Sequence, residues 1–337
     1  MTINPQDVAT YLDALAKPQG SLGRLEALAI QLAVAQQDLS ARTKPRRIVL
    51  FAADHGVIES GVSAWPSAVT TVMMETIIAR KATSTALAAA QMADLRLVDV
   101  GTIQPPQTGG QTGSYHDARI AAGTANLADG PAMTKDQFHA AWVVGEVEAR
   151  LAFDQGFVLL IAGEMGIGNT TPAACLTMLL SGADSEIATG RGAGADDAIL
   201  ANKRAIVARA SQRAGGLLDA DPALAIADVA GFEIAAMAGF FAQAAAQGST
   251  VLLDGYVTTA AALIAERLAP GTAKNMIAAH LSAEPGHRAA LDHLGLDPLL
   301  EWNMRLGEGT GALTALPLLD SAAALLNDVA KLSDIMP

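Results

Sequence analysis

A chain of 337 residues can bury a large core without staples, and its single cysteine, Cys175, allows neither an intramolecular disulfide nor a multi-cysteine metal cage. Hydrophobic residues make up 51% of the chain but aromatics only 4%, so the core is expected to be Ala, Leu, Val and Ile packed closely on many glycines, as in helices layered on a sheet. A net charge of −12, with Lys and Arg sparse and scattered, argues against a nucleic-acid surface; a small anion would need a local device such as a helix N-terminus.

The first twenty residues, MTINPQDVATYLDALAKPQG, hold no basic cluster followed by an apolar run, so neither a signal peptide nor a membrane anchor is expected. With one cysteine, this suits the cytoplasm. A helical region containing SLGRLEALAIQLAVAQQDL then gives way to RRIVLFAADHG, a β-branched run that ends in polar residues and glycine. The same grammar returns in LRLVDVG (95–101), GFVLLIAGEMGIGN (156–169), STVLLDGY (249–256) and NMIAAH (275–280). Runs that are apolar throughout suit strands covered on both faces. Alanine-rich segments at 67–91, 134–155, 171–182 and 194–215 are long enough for helices between them. The window IADVAGFEIAAMAGFFAQAAAQG carries Asp228 and Glu233 and reads as a buried helix, with no membrane span expected. Strand then helix, repeated, predicts an α/β fold with a Rossmann-like parallel sheet and flanking helices. The N-terminal helices and a last helix near 311–333 bracket it, so 1–43 with 296–337 is expected to form a small helical domain and 44–295 the large domain. Segment 102–117, TIQPPQTGGQTGSYHD, has no periodicity and reads as a loop, either a cover or a surface excursion.

In such a sheet, ligands gather beyond the carboxyl ends of the strands. AADHG, AGEMGIGNTT, LDGY and AAHLSAEPGH all begin where a strand run stops, so they should share one rim. GEMGIGNTT (163–171) joins three glycines to the capping residues Asn169, Thr170 and Thr171, with Pro172 suited to a first helical turn, and together these make an anion cradle. No Lys follows its last glycine, so it is not a Walker loop. Without an acid it could equally be a well-capped turn; Glu164 inside it suits ribose hydroxyls. Lys203, in GRGAGADDAILANKRA, could reach a phosphate, although that segment by itself is an ordinary capped helix. His55, His280 and His287 lie at strand ends without metal-ligand spacing, and no metal is expected. Cys175 reads as a core residue. In RLGEGTGA (305–312), Glu308 stands between two glycines, where it could face water, cap the helix that starts near Ala312 or meet a ligand. Partial desolvation would raise its pKa toward general-base use.

The blocks KPQGSLGRLE, AADHGV, GVSAWP, GTANLADGPAM, GEMGIGNTTPAA, GRGAGADDA, GFEIAAMAG, LLDGY, HLSAEPGHR and MRLGEGTGA, in this order, resemble the nicotinate-nucleotide:dimethylbenzimidazole phosphoribosyltransferase family over about residues 17–330. The resemblance implies transfer of the 5-phosphoribosyl group from nicotinate mononucleotide to a benzimidazole nitrogen. It yields α-ribazole 5′-phosphate for the lower ligand of cobalamin, in a homodimer without a cofactor. It implies Glu308 as the general base. Glu164, Gly166, Ile167, Gly168, Asn169, Lys203 and Ser282 would bind the phosphoribosyl portion. Ser63, Pro66, Val72, Met165 and Leu306 would surround the base. Val72 stands where the family commonly has glutamine, Lys81 and Thr85 where it has glycine and asparagine, and Ala193 where threonine is common. Losing the glutamine amide opens the alternative of another acceptor base, whether purine, benzimidazole or phenolic.

Overall fold

A computed structural model describes residues 2–107 and 114–335. The chain opens with α1 (Pro5–Asp13) and α2 (Arg24–Gln36), then runs through β1 (Arg46–Ala53), α3 (Ala68–Ile78), α4 (Thr83–Ala90), β2 (Asp94–Gly101) and β3 (Tyr115–Asp117). It continues with α5 (Lys135–Asp154), β4 (Leu159–Met165), α6 (Thr170–Ser181), α7 (Ser185–Ala188), α8 (Asp197–Gly215), α9 (Pro222–Val229) and α10 (Phe232–Ala246). β5 (Thr250–Leu253), α11 (Tyr256–Leu268), β6 (Met276–Ala278), α12 (Gly286–Leu294), α13 (Thr310–Asp328) and α14 (Leu332–Ile335) complete it. All strand pairs are parallel, in the order β3-β2-β1-β4-β5-β6. The fold is the Rossmann-like α/β sheet expected from the strand–helix alternation.

β1 is buried along its whole length because helices cover both of its faces. Side chains alternate across a strand. Val49, Phe51 and Ala53 therefore join the core under α5, α6, α8, α10 and α11, whereas Ile48, Leu50 and Ala52 join the one under α1, α2, α3, α4 and α13. On the first face α10 meets α5 backbone to backbone: a Cβ on Gly145 would lie 1.8 Å from the Ala236 carbonyl, and one on Gly239 2.1 Å from that of Trp142. Glycine is what permits that approach. The expected buried helix is in fact two, since the chain breaks at Ala230–Gly231 between α9 and α10. Among the described residues, no helix is long and apolar enough to cross a membrane.

On the second face the chain ends meet. Tyr11 donates to the Leu326 carbonyl at 2.8 Å, Arg24 to the Pro298 carbonyl at 2.6 Å, and Leu15 bridges to Lys331. Their apolar side chains share one cluster with Ile48, Leu50, Leu97, Leu159 and Ile161 of the sheet. Buried Arg46 ties this layer down, bonding Asp320 of α13 at 2.7 Å and the Gln91 carbonyl at 2.9 Å.

Two departures from the sequence reading bear on function. The helix expected at 67–91 is interrupted: Arg80 takes a left-handed φ of 57°, and α4 starts afresh at Thr83. The segment 102–117 contains a short edge strand, β3, paired with β2 through Leu97 and Tyr115, while 108–113 lies outside the described residues.

Candidate active site

The strand order reverses between β1 and β4, and an open parallel sheet binds ligands in the crevice beyond its carboxyl ends at such a point. The loops leaving β1, β4, β5 and β6 line one cavity there, closed on another side by residues 305–308.

That last segment answers what the acid between glycines is for. Gly307, Glu308 and Gly309 take φ values of 87°, 57° and 73°, three left-handed residues in a row. Glycine adopts this conformation freely, whereas a residue with a Cβ loses about 1–2 kcal/mol. The glycines also make room: a Cβ on Gly309 would lie 2.3 Å from Cδ1 of Ile48, and one on Gly163 of β4 would lie 2.7 Å from the Gly309 nitrogen. The turn is therefore wedged against the end of β4. Asp254, just after β5, anchors it by accepting the Gly309 N–H on Oδ2 at 3.1 Å and the Ala312 N–H on Oδ1 at 3.0 Å. Asp254 thus caps α13, the task that the sequence left open for Glu308.

Glu308 is 4% exposed and lines the cavity, with Oε2 accepting the Ser84 hydroxyl at 2.9 Å. Burial raises its pKa above the usual carboxylate value, Ser84 opposes that, and the neighbouring Asp254 adds to it. Glu164 lines the same cavity and accepts the Asn169 side-chain amide. Burial pushes its pKa up to about 8 against that hydrogen bond, with Asp254, Glu233 and Glu308 adding like charge. Several acids in one low-dielectric region cannot all ionise easily, which favours the protonated form of Glu164.

Beyond Glu164, the backbone from Gly166 to Asn169 turns into α6, with Gly168 at φ 93° and the Ile167 N–H donating to Thr70 Oγ1 at 3.2 Å. His55 lies directly behind, 3.0 Å from where a Gly166 Cβ would be. Its Nε2 contacts Glu233 at 3.0 Å; burial disfavours its charge, yet Glu233 and Asp54 outweigh that and hold its pKa above the usual value. Opposite, the Ser282 N–H donates to His287 Nδ1 at 2.8 Å, and His287 Nε2 meets Thr259 Oγ1 at 2.9 Å. The Thr259 hydroxyl donates to the Gly255 carbonyl, so Nε2 must carry the imidazole proton. Burial keeps this histidine neutral, with its pKa pulled down to about 3, and it serves as a fixed post for the Ser282 loop.

The structure brings Ser63, Glu164, Met165, Gly166, Ile167, Gly168, Asn169, Ser282, Leu306 and Glu308 to one cavity. Lys203, Pro66 and Val72 are not among its lining residues. Lys203 is 1% exposed, with Nζ donating to Thr170 Oγ1 at 2.7 Å and to the Gly190 carbonyl at 3.1 Å. Its ammonium is one layer behind the surface, tying the 190–192 loop to the start of α6, and burial lowers its pKa to about 8 against the pull of Glu284. Val72 is 57% exposed on α3. Sequence reasoning missed Asp254, Glu284 and Arg305, which also line the cavity. The strand-end position of LDGY was the one available signal for Asp254. Among the described residues, no group of three or more His, Cys, Asp or Glu is placed to hold a metal ion.

A family model described as phosphoribosyltransferase matches residues 4–335. The chain is 43% identical over 320 residues to nicotinate-nucleotide–dimethylbenzimidazole phosphoribosyltransferase of Aromatoleum aromaticum, covering 95% of this chain and 92% of the relative. It is 45% identical over 323 residues to the protein of the same name from Mycobacterium marinum, covering 96% and 89%. The crystal structure of CobT from Thermus thermophilus superposes with a TM-score of 0.93 at 40% identity, over 98% of this chain and 97% of the other.

Proposed function

The chain belongs to the nicotinate-nucleotide–dimethylbenzimidazole phosphoribosyltransferase family, and on that premise we propose how its cavity carries out the reaction. The enzyme moves the 5-phosphoribosyl group of nicotinate mononucleotide to 5,6-dimethylbenzimidazole, giving α-ribazole 5′-phosphate and nicotinate for the lower ligand of cobalamin. The observation that carries the mechanism is the placement of Glu308: a buried acid, held left-handed between two glycines, on the wall of the cavity that also contains the Gly166–Asn169 turn.

One ring nitrogen of the neutral benzimidazole forms the new bond to the anomeric carbon while the other loses its proton to Glu308. The bond from that carbon to the pyridinium nitrogen breaks, and its electron pair returns to the ring. Nicotinate therefore leaves without needing an acid. Backside attack inverts β to α, and the sugar gains oxocarbenium character on the way, as in other displacements at an anomeric carbon. The Ile167 N–H is taken by Thr70 and the Asn169 N–H by the Gly166 carbonyl, so the backbone around Gly168, the N-terminus of α6 and the Ser282 hydroxyl suit the 5′-phosphate. Glu164 suits the ribose hydroxyls, and an acid beside a phosphate is tolerated best in the protonated form that its raised pKa favours. A neutral carboxyl does not repel the donor, and developing positive charge on the sugar favours its ionisation. Lys203 acts from behind, shaping the loop and adding charge without touching the phosphate. Ser63, Met165 and Leu306 suit the acceptor ring. With Val72 off the cavity lining, nothing in the pocket favours a different acceptor over dimethylbenzimidazole. Family membership also supports a homodimer working in the cytoplasm.

The test is Glu308→Gln, which keeps size and removes the base. Nucleotide binding should persist while turnover falls by about 10²–10⁴, the usual contribution of general-base catalysis. Near-normal release of nicotinate would remove Glu308 from the mechanism.

A further inference from the structure

α4 begins without a cap of its own. Its N-cap position is Ala82, which has no side-chain acceptor for the first N–H groups. The break at Arg80 that creates this helix end also brings it against the Glu308 turn, since α4 packs on α13. Ser84, the second residue of the helix, is fully buried, and its hydroxyl donates to Glu308 Oε2 at 2.9 Å. The Ser84 backbone N–H also favours the charged carboxylate. The acid thus occupies the place of a helix cap, at the positive end of the α4 dipole.

We propose that Ser84 is a positioning residue for the base: its hydroxyl and the start of α4 fix one oxygen of Glu308, leaving Oε1 to take the proton from the acceptor ring. This rests on reading Glu308 as the base. A carboxylate with a free torsion would spread its two oxygens over many directions, and a buried one would tend to stay protonated. The hydroxyl and N–H of one fixed residue counter both. Burial and the like charge of Asp254 at the end of β5 favour the protonated form of the acid. Glu164 on β4, His280 beyond β6 and Arg305 on the same segment share the lining of the cavity with it. Among the described hydrogen bonds, Ser84 is the only residue donating to the Glu308 carboxylate.

The experiment is the pH profile of kcat/KM in Ser84→Ala, with Glu308→Gln run in parallel. Removing a hydrogen bond to the charged form raises the pKa of the base, so the acid limb should move up by about one pH unit. KM for nicotinate mononucleotide should stay within about twofold, and Ser84→Thr should restore the limb. If alanine unfolds the protein, Ser84→Cys, nearly the same size and a weaker donor, should move the limb the same way by less. An unshifted limb, whether the rate is lost equally at every pH or not lost at all, would make Ser84 a packing residue and overturn the proposal. If Glu308→Gln is inactive in that case, the base assignment survives; if Glu308→Gln turns over normally, it is the base assignment that has failed.

Discussion

Gly307 stands where even a methyl group would collide with Glu164: a Cβ there would lie 2.2 Å from Oε1. The turn that presents the base and the acid at the strand end are therefore in direct contact, and moving one moves the other. Gly307→Ala incurs two costs, the left-handed backbone at φ 87° and displacement of the Glu164 carboxyl from Asn169. The protein should fold with a loss of about 1–3 kcal/mol in a denaturant titration. Its kcat should fall by about 10²-fold, because a displacement on the order of 1 Å at reacting groups is that costly. Turnover within twofold of the natural protein would show that Glu164 yields freely and that the contact does not set the geometry.

Asp254 acts on Glu308 in two ways of opposite consequence. It holds the turn by accepting the Gly309 and Ala312 N–H groups, and its like charge raises the pKa of Glu308. Asp254→Asn keeps one acceptor oxygen and removes the charge. The acid limb of kcat/KM should therefore move to lower pH, opposite in sign to Ser84→Ala. Stability should fall by about 1 kcal/mol through the weaker cap of α13. A limb that moves up instead would mean that Asp254 serves Glu308 only as an anchor.

The sheet was legible because a doubly covered strand such as β1 must be apolar through its centre, here Ile48 to Ala53 after two paired arginines, and five such runs were visible. β3 was not, because a three-residue edge strand in a Pro/Gly/Gln segment has no pattern of its own and owes its pairing to β2. The site was legible where chemistry left a local mark: Glu308 between glycines and Glu164 beside the glycine-rich turn. It was illegible where a role depends on what another segment brings. Nothing in KATSTALA marks Ser84, because its partner is 224 residues away. Nor does anything in ANKRA mark the two bonds that Lys203 makes, to Thr170 and to the Gly190 carbonyl, since both partners come from other segments.

Glu164 in the cavity and the buried His287 make opposite contributions to how stability should depend on pH. Glu164 has a folded pKa of about 8 against an ordinary 4.5, and His287 one of about 3 against 6.5. Stability rises with pH wherever the unfolded chain binds more protons than the folded one. Of these two, only His287 differs between pH 3 and 4.5, protonated in the unfolded chain and neutral in the fold, and its contribution rises. Between 4.5 and 6.5 the folded Glu164 holds a proton that the unfolded chain lacks, and the two effects cancel. Of the two, Glu164 alone acts from 6.5 to 8, where its contribution should fall by up to about 1.4 kcal/mol per pH unit. His55, whose pKa is also raised, contributes to the same fall. Denaturant midpoints of the ligand-free protein, measured at half-unit steps, should show this rise, plateau and decline. Glu164→Gln has no proton to lose and should flatten the decline, keeping only the part due to His55 and the other raised groups. If the natural protein and Glu164→Gln declined in parallel above pH 6.5, Glu164 would already be ionised in the free enzyme. The donor phosphate would then have to enter against its charge, and the neutral-carboxyl account of the cradle would fail.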